Sequence, residues 1–180
     1  MLNVRPPIPT PGPPSDARFR VLLTEDRAHA DEHWTRQLPA ILRPMGIDAF
    51  IASTGQQALE LIQNDPIHAA IIDLATPKTA RPASPSAAGN SGDSTSGASG
   101  GGIWLMQVLQ RLPNRPPVVV VNSRSYSQRQ VQRLLNQALT LGAFSVVNRP
   151  VKLDALLSTF QRLVERAYNN TWPTTPPDQN

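Results

Sequence analysis

The 180-residue sequence contains no cysteine. That excludes a disulfide framework, thiolate metal sites and a cysteine nucleophile. It has no run of about 18 apolar residues, the length a membrane-spanning helix needs. Its opening stretch, Met1-Leu-Asn-Val-Arg-Pro-Pro7, lacks the apolar centre of a secretory signal. These two absences make a cytoplasmic location the expectation, with no membrane partner. Lysine is nearly missing: fifteen of the seventeen basic residues are arginine. The net charge of +4 is modest, and a solvated surface accounts for it without nucleic acid as a partner. The length fits one domain with tails and is enough to bury a single core.

Residues 1–17 hold six prolines and no hydrophobic period, which predicts a disordered tail. A domain is expected over 18–168. Its first strand is Phe19-Arg-Val-Leu-Leu-Thr24, followed by the adjacent acids Glu25 and Asp26. Trp34, Leu38, Ile41, Leu42 and Met45 then share one helical face. Asp31 and Glu32 fall in the opening turns, where the helix dipole favours negative charge. Pro39 should bend this helix, and Pro44-Met-Gly46 should end it. Asp48–Ala52 reads as a second strand. Ser53 or Thr54 can cap the next helix, which carries Ala58, Leu59, Leu61 and Ile62.

The stretch Ala69-Ala-Ile-Ile-Asp73 is a continuous apolar run ending in one carboxylate, the pattern of a strand buried on both faces of a parallel sheet. Residues 78–101 are rich in Pro, Ala, Ser and Gly and hold almost no large apolar side chain, so a disordered insertion is predicted there. A helix with Ile103, Met106, Leu109 and Leu112 follows. Val118–Val121 is a fourth strand. The next helix carries Val131, Leu134, Leu135, Ala138 and Leu139, and Gly142 ends it. Phe144–Val147 is the fifth strand. The last helix has Leu153, Leu156, Leu157, Phe160, Leu163, Val164 and Ala167 on one face, and residues 169–180 form a second tail. Strand and helix alternate five times. Short right-handed crossovers then imply an α/β, (βα)5 doubly wound, five-stranded parallel sheet.

In such a sheet the strand ends line one edge. Glu25 and Asp26 come from the first strand, Asp73 from the third, Asn122 and Ser123 from the fourth, and Arg149 follows the fifth. Clustered carboxylates repel unless a cation sits among them, and hard oxygen ligands suit Mg²⁺. An arginine opposite them can pair with an anion brought in by the metal. A nucleophilic carboxylate, a metal and donors for phosphoryl oxygens are what a phosphoryl-accepting aspartate requires. The rival reading is that Asp73 merely caps a turn.

On these residues the chain resembles the receiver domains of bacterial response regulators, the flavodoxin/CheY-like fold. The resemblance runs from about Arg18 to Ala167, around the insertion. It rests on Glu25-Asp26, on Asp73 with Pro77, on Arg149-Pro150, and on the Thr54-Gly-Gln-Gln-Ala58 and Leu141-Gly-Ala143 segments. It implies phosphorylation of Asp73 by a histidine kinase or phosphotransfer protein. It also implies Mg²⁺ held by Glu25, Asp26, Asp73 and the carbonyl of Ala75, with Asn122 and Arg149 on the phosphoryl group, and output through a partner protein. Where the family carries Thr or Ser this chain has Asn122. Its lysine is Arg149, and its aromatic position on the fifth strand is Val146. Arg124 is a candidate second cation. The alternative within the same fold is a degenerate receiver that binds its partner without phosphorylation.

Other motifs lead nowhere. His29-Ala-Asp-Glu-His33 has zinc-peptidase spacing, but no third ligand helix is evident. Gly97-Ala-Ser-Gly-Gly101 has nucleophile-elbow spacing but follows no strand. Asp73-Leu-Ala-Thr lacks the second aspartate of a haloacid-dehalogenase phosphatase, so an enzyme is not expected. Neither tail has the helical pattern of a DNA-binding effector.

Overall fold

The computed structural model describes residues 18–25, 34–80, 100–122 and 128–169. The elements run β1 (Phe19–Thr24), α1 (Trp34–Leu42), β2 (Ile47–Ala52), α2 (Gly55–Asn64), β3 (Ala69–Asp73), α3 (Gly101–Leu109), β4 (Val118–Val121), α4 (Gln128–Thr140), β5 (Ser145–Val147) and α5 (Leu153–Tyr168). The strands form one sheet in the order β2-β1-β3-β4-β5, and every pair is parallel.

Side chains of a strand alternate between faces, and the two cores sort accordingly. Val21, Leu23, Ile71, Val119 and Val121 pack with Trp34, Leu38 and Leu42 of α1 and with Leu156, Phe160 and Leu163 of α5. Leu22, Ala70, Ile72, Val118 and Val120 pack on the other face with Ala58 of α2, Ile103, Met106 and Leu109 of α3, and Ala138 of α4. With helices on both faces, the central strands need apolar residues at every position. That is why β3 and β4 read as unbroken hydrophobic runs. The order reverses between β1 and β3, so their carboxyl ends flank the switch point where open α/β sheets place ligands.

Several local expectations are adjusted. Pro39 lies inside α1, which continues to Leu42. The bend comes after it, in a 3-10 turn over Arg43–Met45 that Gly46 closes at φ 78°. Met45, expected on the buried face, is exposed as a result. Helix α3 starts at Gly101, inside the stretch read as insertion, because a glycine pair carries no hydrophobic period. Phe144 precedes β5, although its N–H still donates to the carbonyl of Val118 (2.7 Å). Leu139 is 53% exposed and does not belong to the inner face of α4. Asp31, Glu32 and both histidines of the His29–His33 motif lie outside the described residues. Among the described residues, no helix is long and apolar enough to cross a membrane.

The amino edge of the sheet is tied together separately. Phe19 packs against the rings of His68, Phe160 and Tyr168, with centroids 5.1, 5.8 and 5.4 Å away. The N–H of Arg20 donates to Nδ1 of His68 (2.9 Å), and the Tyr168 hydroxyl donates to the His68 carbonyl (2.6 Å). Burial, then the nearby Arg20 guanidinium, lowers the His68 pKa below 6.5. Burial pushes that of Tyr168 up to about 12.

Candidate functional site

Strand β3 delivers Asp73 to the carboxyl edge, where the residue is fully buried. Every side chain from Ala69 to Asp73 is buried, so the chain has no freedom to slide its last residue outward. The Asp73 backbone N–H donates to Oγ1 of Thr24 (2.9 Å), the last residue of β1. Thr24 Oγ1 in turn lies 2.7 Å from Thr76 Oγ1. Both threonines are fully buried. This hydroxyl pair ties the end of β1 to the turn after β3 at the switch point. Sequence reading missed it, since a threonine at a strand end has no distinctive spacing.

The two oxygens of Asp73 are in different hands. Oδ1 accepts the backbone N–H of Ala75 (2.9 Å), and the turn closes with Thr76 N–H on the Asp73 carbonyl (3.1 Å). The turn-capping reading of Asp73 is therefore correct as far as it goes. Oδ2 meets a guanidinium nitrogen of Arg149. The side chains of this ion pair are 0% and 3% exposed. Arg149 comes from the segment after β5 and precedes Pro150 across a cis peptide bond. The arginine expected to face an incoming anion is thus brought onto the aspartate itself.

The β3–α3 turn is braced from two sides. The first N–H groups of α2, from Gly55 and Gln56, donate to the carbonyls of Pro77 (2.8 Å) and Lys78 (2.9 Å). Thr54 caps the same helix by accepting the Gln57 N–H (3.1 Å), and Gln57 Oε1 accepts the Ser53 N–H (2.9 Å). This reciprocal arrangement approximates a capping box. On the other side, α3 presses its opening glycines onto the turn. A Cβ on Gly102 would lie 2.6 Å from the Asp73 carbonyl oxygen, and one on Gly101 would lie 2.4 Å from the Thr76 carbonyl oxygen. The ammonium of Lys78 lies 4.9 Å over the Trp104 ring.

Glu25 is half-buried at the end of β1, its N–H on the Ala52 carbonyl (3.0 Å). Its carboxylate accepts the hydroxyls of Thr35 (3.2 Å) and Ser53 (3.3 Å). Asn122 follows β4, directly after Val121, the register partner of Asp73. Its N–H donates to the Val147 carbonyl (2.9 Å), and its Nδ2 donates to Oδ1 of Asn148 (3.2 Å). Its Oδ1 is buried with no hydrogen-bond partner among the described residues. Asp26, Ser123 and Arg124 lie outside the described residues. Among the described residues no three acidic or histidine side chains form a group able to hold a metal. The described donors nevertheless fit Mg²⁺ in kind: carboxylates at the ends of adjacent strands and a backbone carbonyl at Ala75.

No family model matches the sequence, and no curated protein matches it either. Solved structures do match. The chain is similar to a Francisella response-regulator receiver domain at 19% identity and TM-score 0.56, covering 82% of this chain and 98% of that one. It is similar to a CheY-like receiver domain protein from Methanospirillum hungatei at 19% identity and TM-score 0.58, covering 85% and 99%. A two-component response regulator from Clostridium difficile aligns at 13% identity and TM-score 0.59, covering 84% and 99%. At these identities the likeness is one of fold. The five-stranded α/β sheet is that of the receiver domains, and it spans almost the whole of each of them.

Proposed function

From a receiver fold with a buried aspartate at its switch point, we propose that the chain is a phosphoacceptor of a two-component phosphorelay, modified on Asp73. The carrying observation is the Asp73 carboxylate held between the Ala75 N–H and the Arg149 guanidinium. A carboxylate oxygen attacks phosphorus of a phosphohistidine on a histidine kinase or phosphotransfer protein. The P–N bond breaks, its electron pair leaves with the imidazole, and an acyl phosphate forms on Asp73. Arg149, permanently charged and already in place, pairs with the phosphoryl oxygens as they arrive. The Ala75 N–H stays on the carboxyl group and holds its orientation.

Glu25 and Asp73, with Asp26 and the Ala75 carbonyl, would hold Mg²⁺. That ion supplies charge neutralisation between carboxylates and phosphoryl oxygens when bound. Output then passes to a partner protein, and the chain acts as a signalling module in the cytoplasm.

Incubation with acetyl phosphate and Mg²⁺, read by intact mass, tests the proposal. One phosphoryl group is expected on the wild-type protein and none on Asp73→Ala. Absence of uptake at millimolar Mg²⁺ would leave a receiver that binds its partner without phosphorylation. Multiple turnover of small phosphate esters would point instead to a phosphohydrolase.

A further inference from the structure

The backbone ladder between β1 and β3 ends at Leu23 and Ile71, before either strand does. Beyond that point β1 stays with β2, through Thr24 beside Ala52 and the Glu25 N–H on the Ala52 carbonyl. Strand β3 stays with β4, through Asp73 beside Val121 and the Leu74 N–H on the Val121 carbonyl (3.1 Å). Across the gap that opens, a side chain replaces the ladder: Thr24 Oγ1 accepts the Asp73 N–H (2.9 Å). The same oxygen lies 2.7 Å from Thr76 Oγ1. Both threonines are fully buried, so bulk water does not reach either hydroxyl. Thr76 also closes the turn, its N–H on the Asp73 carbonyl (3.1 Å). Inside that turn Ala75 gives its N–H to Asp73 Oδ1 (2.9 Å). The turn that orients Oδ1 is thus anchored to β1 by one hydroxyl pair. Packing alone would need only the shape of these side chains, which valine also has.

Resting on the phosphoacceptor reading above, we propose that Thr24 and Thr76 are positioning residues for Asp73: their paired hydroxyls fix the turn so that Oδ1 stays on the Ala75 N–H and Oδ2 is presented for attack. Neither threonine touches the phosphoryl donor; both act through the turn. With acetyl phosphate, Oδ2 forms its bond to phosphorus as the bond from phosphorus to the acetate oxygen breaks, and acetate leaves with the electron pair. A turn freed from β1 lets the carboxylate swing, and small misplacements of a reacting group are costly in rate.

The test compares initial rates of acetyl phosphate labelling at fixed Mg²⁺, at a temperature where melts show each variant folded. Thr24→Val should slow labelling roughly tenfold or more. Thr76→Val leaves the Asp73 N–H on Thr24 and so disturbs the sheet least; it should slow labelling by about three- to tenfold. Thr24→Ser and Thr76→Ser, which keep the hydroxyls and lose a methyl, should label at rates near wild type. The double valine variant should be no slower than Thr24→Val, because the two hydroxyls act as one unit.

A second readout needs no phosphoryl donor. The NMR coupling between the Ala75 ¹⁵N and the Asp73 ¹³Cγ, carried across their hydrogen bond, should be present in wild type and Thr24→Ser and weakened in Thr24→Val. Wild-type labelling rates in both valine variants would overturn the positioning role and leave the phosphoacceptor intact. Serine variants as slow as the valine ones would also overturn it, by assigning the effect to packing of the methyl groups. No labelling of the wild type would remove the phosphoacceptor reading and this inference with it.

Discussion

Arg149 and Asp73 form the one ion pair among those described whose side chains are both almost fully buried. A buried charge that loses its partner is expensive. Arg149→Met should therefore lower unfolding stability by about 3–5 kcal/mol, measured by urea titration. Combining it with Asp73→Asn should recover most of that loss. A loss under about 1 kcal/mol for Arg149→Met would mean that water reaches the carboxylate.

At the opposite edge, His68 accepts from a backbone N–H through Nδ1, so its folded form is neutral. Its folded pKa is depressed below 6.5, so the unfolded chain binds a proton more readily. The stability that depends on neutral His68 is fully present above pH 6.5 and is lost as pH falls through the folded value. The melting temperature of wild type should drop more between pH 7.5 and 5.5 than that of His68→Asn, which keeps an acceptor and does not titrate. Parallel pH profiles would remove His68 from the account.

Residues of this scale were unevenly legible. Asp73 and Arg149 announced themselves by charge at the ends of apolar runs. The Thr24–Thr76 pair did not, because its meaning lies in a contact across 52 positions of chain.

Among elements, the turn after β3 and its two braces dominate the geometry of the site. Gly102 admits no side chain: its Cβ would meet backbone of Asp73 and Leu74 at 2.6 and 2.8 Å. Gly102→Ala should cost about 1–3 kcal/mol through forced displacement, although alanine is the better helix former. A neutral or stabilising result in thermal melts would show that α3 sits further from the turn. Thr54→Ala, removing the α2 cap, should cost about 1 kcal/mol.

All five strands were visible in the sequence, β3 and β4 most plainly, because burial on both faces leaves an unbroken apolar signature; the edge strands β2 and β5 are only partly buried and showed as shorter runs between turn residues. Helix faces were visible less evenly. The period of α4 included Leu139, which points outward, since a five-position stripe is wider than the surface that one flanking helix presents to the sheet. The start of α3 was hidden because its first two residues are glycines chosen by close packing, a constraint with no hydrophobic trace.

For the molecule as a whole, the excursion between Lys78 and Gly100 begins and ends at one point. A Cβ on Gly101 would lie 2.5 Å from the Lys78 backbone nitrogen. Deleting residues 80–99 should leave the melting temperature within a few degrees of wild type, because a shorter loop loses less entropy on closure. A large drop would show that the deleted residues pack on the domain. The doubly wound topology followed from alternation alone, but the pairing of Asp73 with Arg149 did not. Alternation places strand ends on one edge without saying which side chains touch there.

The most direct trial of Asp73 as phosphoacceptor is chemical trapping. The protein is exposed to acetyl phosphate with Mg²⁺, reduced with borohydride, digested and mapped by peptide mass. An acyl phosphate at Asp73 is converted to homoserine at position 73, and that is the expected product. Intact aspartate at 73, or reduction at another acidic residue, such as conversion of Glu25 to 2-amino-5-hydroxyvaleric acid, would contradict the account.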